Sequence, residues 1–390
     1  MKKKIKDVIQ QEFKGLWGTD FADDGIPVIK TNNMTYEGCI DFSDICKRNI
    51  SFEEASPNFL QKGDLIIEKS GGTKTHSVGY VNIFEGEDNK YICNNFILPL
   101  RPNKDLVDCK YLFWQLHGMY EAGRFADCYN KTTGIQNLQK KSYFAKEINV
   151  PSIEEQQKIA AELDTIQSAI DNKKQQLSLL DETVKSEFVE MFGEIKETVI
   201  IKDVCDVSGG YSFKSNDISD SEGVKILQIG NVAINDISWE TTNYLPKSFI
   251  EKYNNFSLNE NDIVMALTRP IIQSLGNVKT CMIRACDLPC LLNQRVGRIR
   301  PKDNTNIHYI FYCFMQHSFT SYIQACCKGS SQPNMSTKDI ENFIIPKAPI
   351  ELQNQFAAFV QQIDKSKFVV KQQIADLQEL LDSKMQEYFS

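Results

Sequence analysis

Two groups of polar and basic residues could carry out recognition chemistry. The later group comprises Thr268-Arg269-Pro270, the run Asn293-Gln294-Arg295-Val296-Gly297-Arg298-Ile299-Arg300-Pro301-Lys302, and Gly329-Ser330-Ser331-Gln332-Pro333-Asn334. The earlier group comprises Glu68-Lys69-Ser70-Gly71-Gly72-Thr73-Lys74 and Lys131-Thr132-Thr133-Gly134-Ile135-Gln136-Asn137. Arg, Gln and Asn make paired hydrogen bonds to guanine and adenine edges in a major groove. Lys, Ser, Thr and backbone N–H groups serve phosphates. Taken singly, each loop reads as ordinary soluble surface. Their recurrence at matched places in the chain is what gives them weight. The candidate contacts are Lys69, Thr73, Lys74, Lys131, Gln136 and Asn137 in the first half. Those in the second half are Thr268, Arg269, Arg295, Arg298, Gln332 and Asn334. The alternation through Asn293–Lys302 predicts a strand with one apolar and one basic face.

Catalytic constellations are missing from the sequence. Ser70-Gly71-Gly72-Thr73-Lys74-Thr75 tempts toward a phosphate loop, but Thr73 rather than Lys follows Gly72. No G-x-G-x-x-G, G-x-S-x-G, H-E-x-x-H or Asn-Pro-Pro-aromatic element occurs. Glu194-Ile195-Lys196 is a nuclease-like spacing at a predicted helix end, with no acidic partner before it. Acidic pairs such as Asp23-Asp24 and Glu53-Glu54 read as solvated loop charges. The four histidines show no i, i+4 pairing, and Cys281, Cys286 and Cys290 have no nearby His to complete a zinc pattern. No metal site or cofactor is expected in this chain.

The framework beneath these loops is written twice in the chain. Ile5-Lys6-Asp7-Val8 recurs as Ile201-Lys202-Asp203-Val204. Leu60-Gln61-Lys62-Gly63-Asp64-Leu65-Ile66 matches Leu258-Asn259-Glu260-Asn261-Asp262-Ile263-Val264. Arg101-Pro102, Tyr111-Leu112-Phe113 and Ile153-Glu154-Glu155-Gln156 have counterparts in Arg300-Pro301, Tyr309-Ile310-Phe311 and Ile350-Glu351-Leu352-Gln353. A repeat this long is a duplicated domain rather than a solenoid unit. Leu65-Ile66-Ile67, Ile263-Val264-Met265 and Phe343-Ile344-Ile345 predict buried strands, and Tyr111–Tyr120 and His308–Cys326 predict helices. The expected divisions are globular domains at 1–150 and 194–346, a long helix at 151–193 and a second at 347–390.

Ser152 and Glu155 form a capping box that opens the first long helix, which should reach Phe192 and stop at Gly193. Its apolar residues follow a 4,3 spacing through Ile159, Leu163, Ile166, Ile170, Leu177, Leu180 and Val184, interrupted by Lys173 and Glu187. The second helix repeats this with Phe356, Val360, Ile363, Val370, Ile374, Leu377 and Leu381, interrupted by Lys367 and Lys384. A heptad seam of this kind predicts an antiparallel coiled coil, each helix about 60 Å long. The alternative is two amphipathic helices packed separately on globular cores. The fold class expected is α+β, with tandem duplicated mixed domains joined by two long paired helices in pseudo-two-fold symmetry.

The balance of 44 Lys+Arg against 51 Asp+Glu gives a net charge of -7, which excludes a protein coated in basic charge but not a local basic face. A composition 42% hydrophobic and 24% charged excludes wholesale disorder. No apolar run is long enough to span a membrane. The basic start lacks the apolar segment of a signal peptide. Twelve scattered cysteines without C-x-x-C fit reduced thiols in a cytoplasm.

At Ile201–Val204 with Gly209-Gly210-Tyr211, Asn261-Asp262-Ile263-Val264 with Thr268-Arg269, Asn293-Gln294-Arg295-Val296 through Arg300-Pro301, and Val150–Ala160, the chain resembles the specificity subunits of type I restriction–modification systems. The resemblance covers essentially the whole chain. It implies two target recognition domains, each reading half of a split double-stranded DNA sequence. It also implies helices that set the gap and dock two modification (methyltransferase) subunits, with a restriction subunit as a further partner. S-adenosylmethionine, ATP and Mg then belong to those partners. The first half departs from the pattern, reading Asn94-Asn95-Phe96-Ile97 and Glu68-Lys69-Ser70, so an asymmetric target is expected. A free-standing methyltransferase or nuclease, and a coiled-coil scaffold spacing two protein-binding modules, are the rival readings. An Arg298→Ala change is expected to affect one half-site only.

Overall fold

Leu65-Ile66-Ile67 carries no polar alternation, so a strand built from it needs apolar cover on both faces. In the computed structural model, which describes residues 1–73, 76–132, 135–272, 277–327 and 334–389, it has that cover. Leu65 and Ile67 face one core, and Ile66 faces another. Ile263 and Met265 divide from Val264 in the same way. The chain forms two compact units, Met1–Lys174 with Gln372–Ser390, and Gln175–Lys371.

In the first unit, strands β1 (Ile9–Glu12), β2 (Leu65–Glu68), β3 (Val81–Ile83) and β4 (Ile97–Pro102) form an antiparallel sheet in the order β1-β4-β2-β3. Helix α1 (Cys109–Glu121) packs on it through Tyr111, Leu112 and Leu116, and Asp108 caps the helix by accepting from the amides of Lys110 and Tyr111. The first long helix, α2 (Ile153–Phe192), begins in this unit and continues into the next. Ser152 Oγ accepts from the Glu155 amide at 3.3 Å at its start. At its end a Cβ on Gly193 would lie 2.5 Å from the Val189 carbonyl, which explains the stop at glycine.

The second unit repeats the plan. Strands β5 (Cys205–Gly209), β6 (Ile263–Ala266), β7 (Thr280–Met282) and β8 (Val296–Pro301) take the order β5-β8-β6-β7. Leu65 pairs with Leu100 in the first sheet as Ile263 pairs with Ile299 in the second. Each unit adds a three-stranded sheet with one antiparallel and one parallel pairing. The single helix expected over His308–Cys326 is instead two, α3 (Ile307–Phe314) and α4 (His317–Cys326). Gln316 adopts an extended backbone and its side chain takes the Tyr312 carbonyl at 3.0 Å. This break lets Phe314 and Phe319 pack into one core, their rings tilted with centroids 4.8 Å apart.

The second long helix, α5 (Ile350–Phe389), pairs with α2 within each unit. In the first, Ile159, Leu163, Ile166 and Ile170 are buried with Leu381 and Phe389, and Ile374 and Leu377 pack half-buried beside them. In the second, Val184, Phe188 and Phe192 share a core with Phe356 and Val360, with Ile363 half-buried against it. Asp181 meets Lys367, and further along α2 Phe188 meets Phe356 nearer the start of α5, so the helices run antiparallel. Leu177 and Leu180 are half-buried. The two lysines that break the α5 seam are bonded across it: Lys367 to Asp181 at 2.5 Å, and Lys384 to Glu162 at 3.2 Å. Phe188, one place after the interrupting Glu187, supplies the apolar contact that the strict spacing misses.

Candidate nucleic-acid interface

Three chain segments converge at one end of each sheet, and a single residue ties them. In the first unit that residue is Lys69. Its amide donates to the Phe96 carbonyl at 2.8 Å, and its carbonyl accepts from Leu138 N at 2.8 Å. In the second unit Leu267 does the same, donating to Arg295 O at 2.9 Å and accepting from Met335 N at 2.7 Å. Thus the end of β2 or β6, the turn before β4 or β8, and a returning loop are fastened together. Ser70 Oγ donates to Asn137 Oδ1 at 2.8 Å, and Thr268 pairs with Asn334 at the equivalent place.

This arrangement brings together Lys69, Gln136 and Asn137 in the first unit, and Thr268, Arg269, Arg295 and Asn334 in the second. Thr73 lies on the same first-unit loop and is exposed, its hydroxyl accepting from the His76 amide at 3.0 Å. Lys69 is half-buried; burial, with Lys140 close by, holds its ammonium below the usual range. Lys131 lies on the strand Tyr129–Thr132, whose backbone pairs with Ile135–Leu138. Lys74 and Gln332 lie outside the described residues.

Two of the sequence candidates are hydrogen-bonded within their own unit. Gln136 is 6% exposed and spends its amide inside, accepting from Val78 N at 3.1 Å and donating to Thr73 O at 3.1 Å. Arg298 lies on the predicted strand, half-buried, and its guanidinium is engaged within the unit. Its Nη1 donates to Ser257 O at 2.9 Å and Asn255 O at 3.2 Å, and burial, with Arg300 beside it, lowers its pKa. Arg300 pairs with Asp262 on the same face. These cations brace the loop before β6.

Arg269 and Arg295 are different. Both are exposed, and among the described residues neither guanidinium has a hydrogen bond or ion pair. Arg269 holds φ at +48° where Gly71 stands, at φ +134°, in the first unit. A non-glycine residue there costs about 1–2 kcal/mol, so an arginine side chain is carried at that point against backbone preference. Phe96, not among the sequence candidates, is 47% exposed at the place corresponding to Arg295. Its signal is the departure Asn94-Asn95-Phe96 from Asn293-Gln294-Arg295, visible when the two halves of the sequence are compared.

Among the described residues no cluster of three or more His, Cys, Asp and Glu could hold a metal ion, and no helix is long and apolar enough to cross a membrane. All twelve cysteines are unpaired.

The chain matches the model of the type I restriction modification DNA specificity domain twice, over residues 1–182 and 194–379. It is 32% identical over 301 residues to the type I restriction enzyme MjaVIII specificity subunit of Methanocaldococcus jannaschii, covering 72% of this chain and 69% of that one. It is 33% identical over 168 residues to the EcoAI specificity subunit of Escherichia coli, covering 42% of this chain and 28% of that one. The S subunit of a type I restriction–modification system from M. genitalium shares the fold, with a TM-score of 0.55 at 15% identity over 100% of this chain and 96% of that chain. A chain solved in work on type I R-M complex assembly and conformational transition gives the same TM-score, 0.55, at 15% identity over 100% of this chain and 97% of that one.

Proposed function

We propose, because this chain belongs to the family of type I restriction–modification DNA specificity subunits, that each of its two recognition regions reads one half of a bipartite, asymmetric double-stranded DNA target. The observation that carries this is the repeated three-segment scaffold fastened at Lys69 and Leu267. One scaffold presents different side chains in its two copies, as a reader of two unlike half-sites requires. Arg269 and Arg295 supply cationic forks suited to phosphate or guanine. The exposed Thr73 and Asn137 add neutral donors and acceptors.

The long helices set the gap between half-sites and dock two modification subunits, with a restriction subunit joining the same complex. Phe368, Val369, Val189 and Leu179 are exposed along them, which supports a protein-binding role. Methyl transfer and DNA cleavage, with S-adenosylmethionine, ATP and Mg, reside in those partners, and the complex acts on cytoplasmic DNA. The net charge of -7 suits a chain that selects a sequence and relies on partners to close around DNA.

Long-read methylation sequencing of a host expressing this chain with its modification partner tests the reading. A bipartite methylated motif is the expected result. Replacing residues 151–193 by a longer helix should change the gap and leave both half-sites intact. A changed half-site sequence would show that the helix is not the spacer.

A further inference from the structure

We infer that the residue closing the turn before β4 and β8, Phe96 in one unit and Arg295 in the other, makes the two half-sites differ in base-pair type. Phe96 packs on the C5-methyl of a thymine, and Arg295 grips a guanine. This rests on the reading of the chain as a DNA specificity subunit.

The two turns are one device. Ile97 N donates to Asn94 O at 3.2 Å, and Val296 N to Asn293 O at 3.0 Å. Asn94 N is held by Ile29 O at 2.9 Å, and Asn293 N by Leu227 O at 3.1 Å. The chain lies so close behind each turn that only glycine fits. A Cβ on Gly15 would sit 2.1 Å from Asn94 O, and one on Gly210 would sit 2.2 Å from Asn293 O. The bonds from Lys69 and Leu267 fix the far side of the turn. A turn clamped on both sides presents its last side chain with little backbone freedom, the property that a base-reading residue needs.

An exposed phenylalanine alone is ordinary surface. Here it stands on a doubly clamped scaffold whose other copy carries an exposed arginine, and no ring packs on it among the described residues. Arg295 lines a depression of about 370 Å³ together with Gln228, Asn293 and Gln294. In a major groove, an apolar side chain distinguishes thymine by its methyl group, and arginine distinguishes guanine by its paired acceptors O6 and N7. A turn carrying phenylalanine therefore selects A·T, and one carrying arginine selects G·C.

The test is the methylated motif of the full complex bearing wild-type chain, Phe96→Ala, Phe96→Arg, Phe96→Leu or Arg295→Ala. Phe96→Ala should relax one A·T position in one half-site roughly tenfold or more, and Phe96→Arg should convert that position toward G·C. Arg295→Ala should relax one G·C position in the other half-site to a similar extent. The half-site that is not targeted acts as the control for folding and assembly. Should a truncated variant give no methylation, Phe96→Leu, which keeps an apolar side chain, should retain the A·T preference. If the wild type yields a bipartite motif and Phe96→Ala and Arg295→Ala both leave it unchanged, the inference is overturned and the broader reading stands. Uniform loss across sequences without relaxed base choice would make Phe96 a wedge and also overturn it. No bipartite motif from the wild type would sink the reading itself.

Discussion

Arg101 closes on Asp64 with two parallel bonds, Nε to Oδ1 at 2.9 Å and Nη2 to Oδ2 at 2.7 Å. The same carboxylate accepts from Gln61 N at 2.8 Å, and the same guanidinium donates to Phe59 O at 3.2 Å. One repeat later, Arg300 holds Asp262 at 2.5 and 2.8 Å and donates to Ser257 O at 3.3 Å. Each pair fastens the fourth strand of its sheet to the turn that launches the second.

Breaking a buried pair from one side strands a charge. The Asp64 side chain is 2% exposed and that of Arg101 16%, so Arg101→Ala should cost about 3–5 kcal/mol of unfolding free energy. Arg300 is 34% exposed, and water can reach the vacated space, so Arg300→Ala should cost distinctly less. Urea unfolding of the two variants measures the difference; equal losses would show that exposure is not the deciding factor.

Arg298 and Arg269 should separate stability from binding. Arg298→Ala removes donors from the carbonyls of Asn255 and Ser257 and should lower stability by about 1–3 kcal/mol with the methylated motif unchanged. Arg269→Ala keeps the Cβ, so the left-handed backbone cost is unchanged and the melting temperature should stay nearly unaltered. If Arg269 meets a phosphate, the slope of log affinity against log salt falls by about 0.9. Duplex-binding titrations at several salt concentrations, beside thermal melts, check both.

The junctions between globular region and long helix are held by a buried glutamine in each unit. Gln156 Oε1 accepts from Asp108 N at 2.8 Å, and its Nε2 donates to Pro151 O at 2.9 Å. Gln353 repeats this with Asn306 N at 2.8 Å and Ala348 O at 2.8 Å. Gln156→Ala should cost about 1–3 kcal/mol through orphaned backbone groups. Gln156→Glu should be at least as damaging, because a carboxylate cannot donate to Pro151 O. Equilibrium denaturation would reveal a harmless Gln156→Glu, against expectation.

Acid should loosen the helix pair in the first unit. Tyr388 Oη at 2.7 Å and Lys384 at 3.2 Å hold the Glu162 carboxyl below its ordinary value of 4.5. The unfolded chain therefore takes up this proton at higher pH than the folded one. The contribution is fully present above pH 4.5 and is lost as pH falls through the lowered folded value. The stability difference between wild type and Glu162→Gln should shrink as pH falls through this window, as followed by helix signal on acid titration.

Much of the architecture was legible in the order of residues. Recurring tracts such as Leu65-Ile66-Ile67 and Ile263-Val264-Met265 announced the duplication, because a doubly buried strand must be apolar throughout. The capping Ser152 and terminal Gly193 bounded the first long helix, because capping is local chemistry. The break at Gln316 was not legible, since two short helices and one long one share the same apolar pattern there. Phe188 was missed because a rigid 4,3 count pointed to Glu187.

The duplication and the two paired helices follow from periodicity and local caps, which a linear sequence carries in full. Which polar residues are spent inside and which are presented depends on packing between distant segments. Arg298 and Arg295 lie three residues apart, yet one is bonded to the carbonyls of Asn255 and Ser257 and the other is exposed. Gln136 is buried and hydrogen-bonded inside its unit, while Phe96, a departure in the sequence, is exposed at the turn that corresponds to Arg295. That division depends on hydrogen bonds and close approaches between segments far apart in the chain, such as Gly15 against Asn94. No local count of residue types contains them.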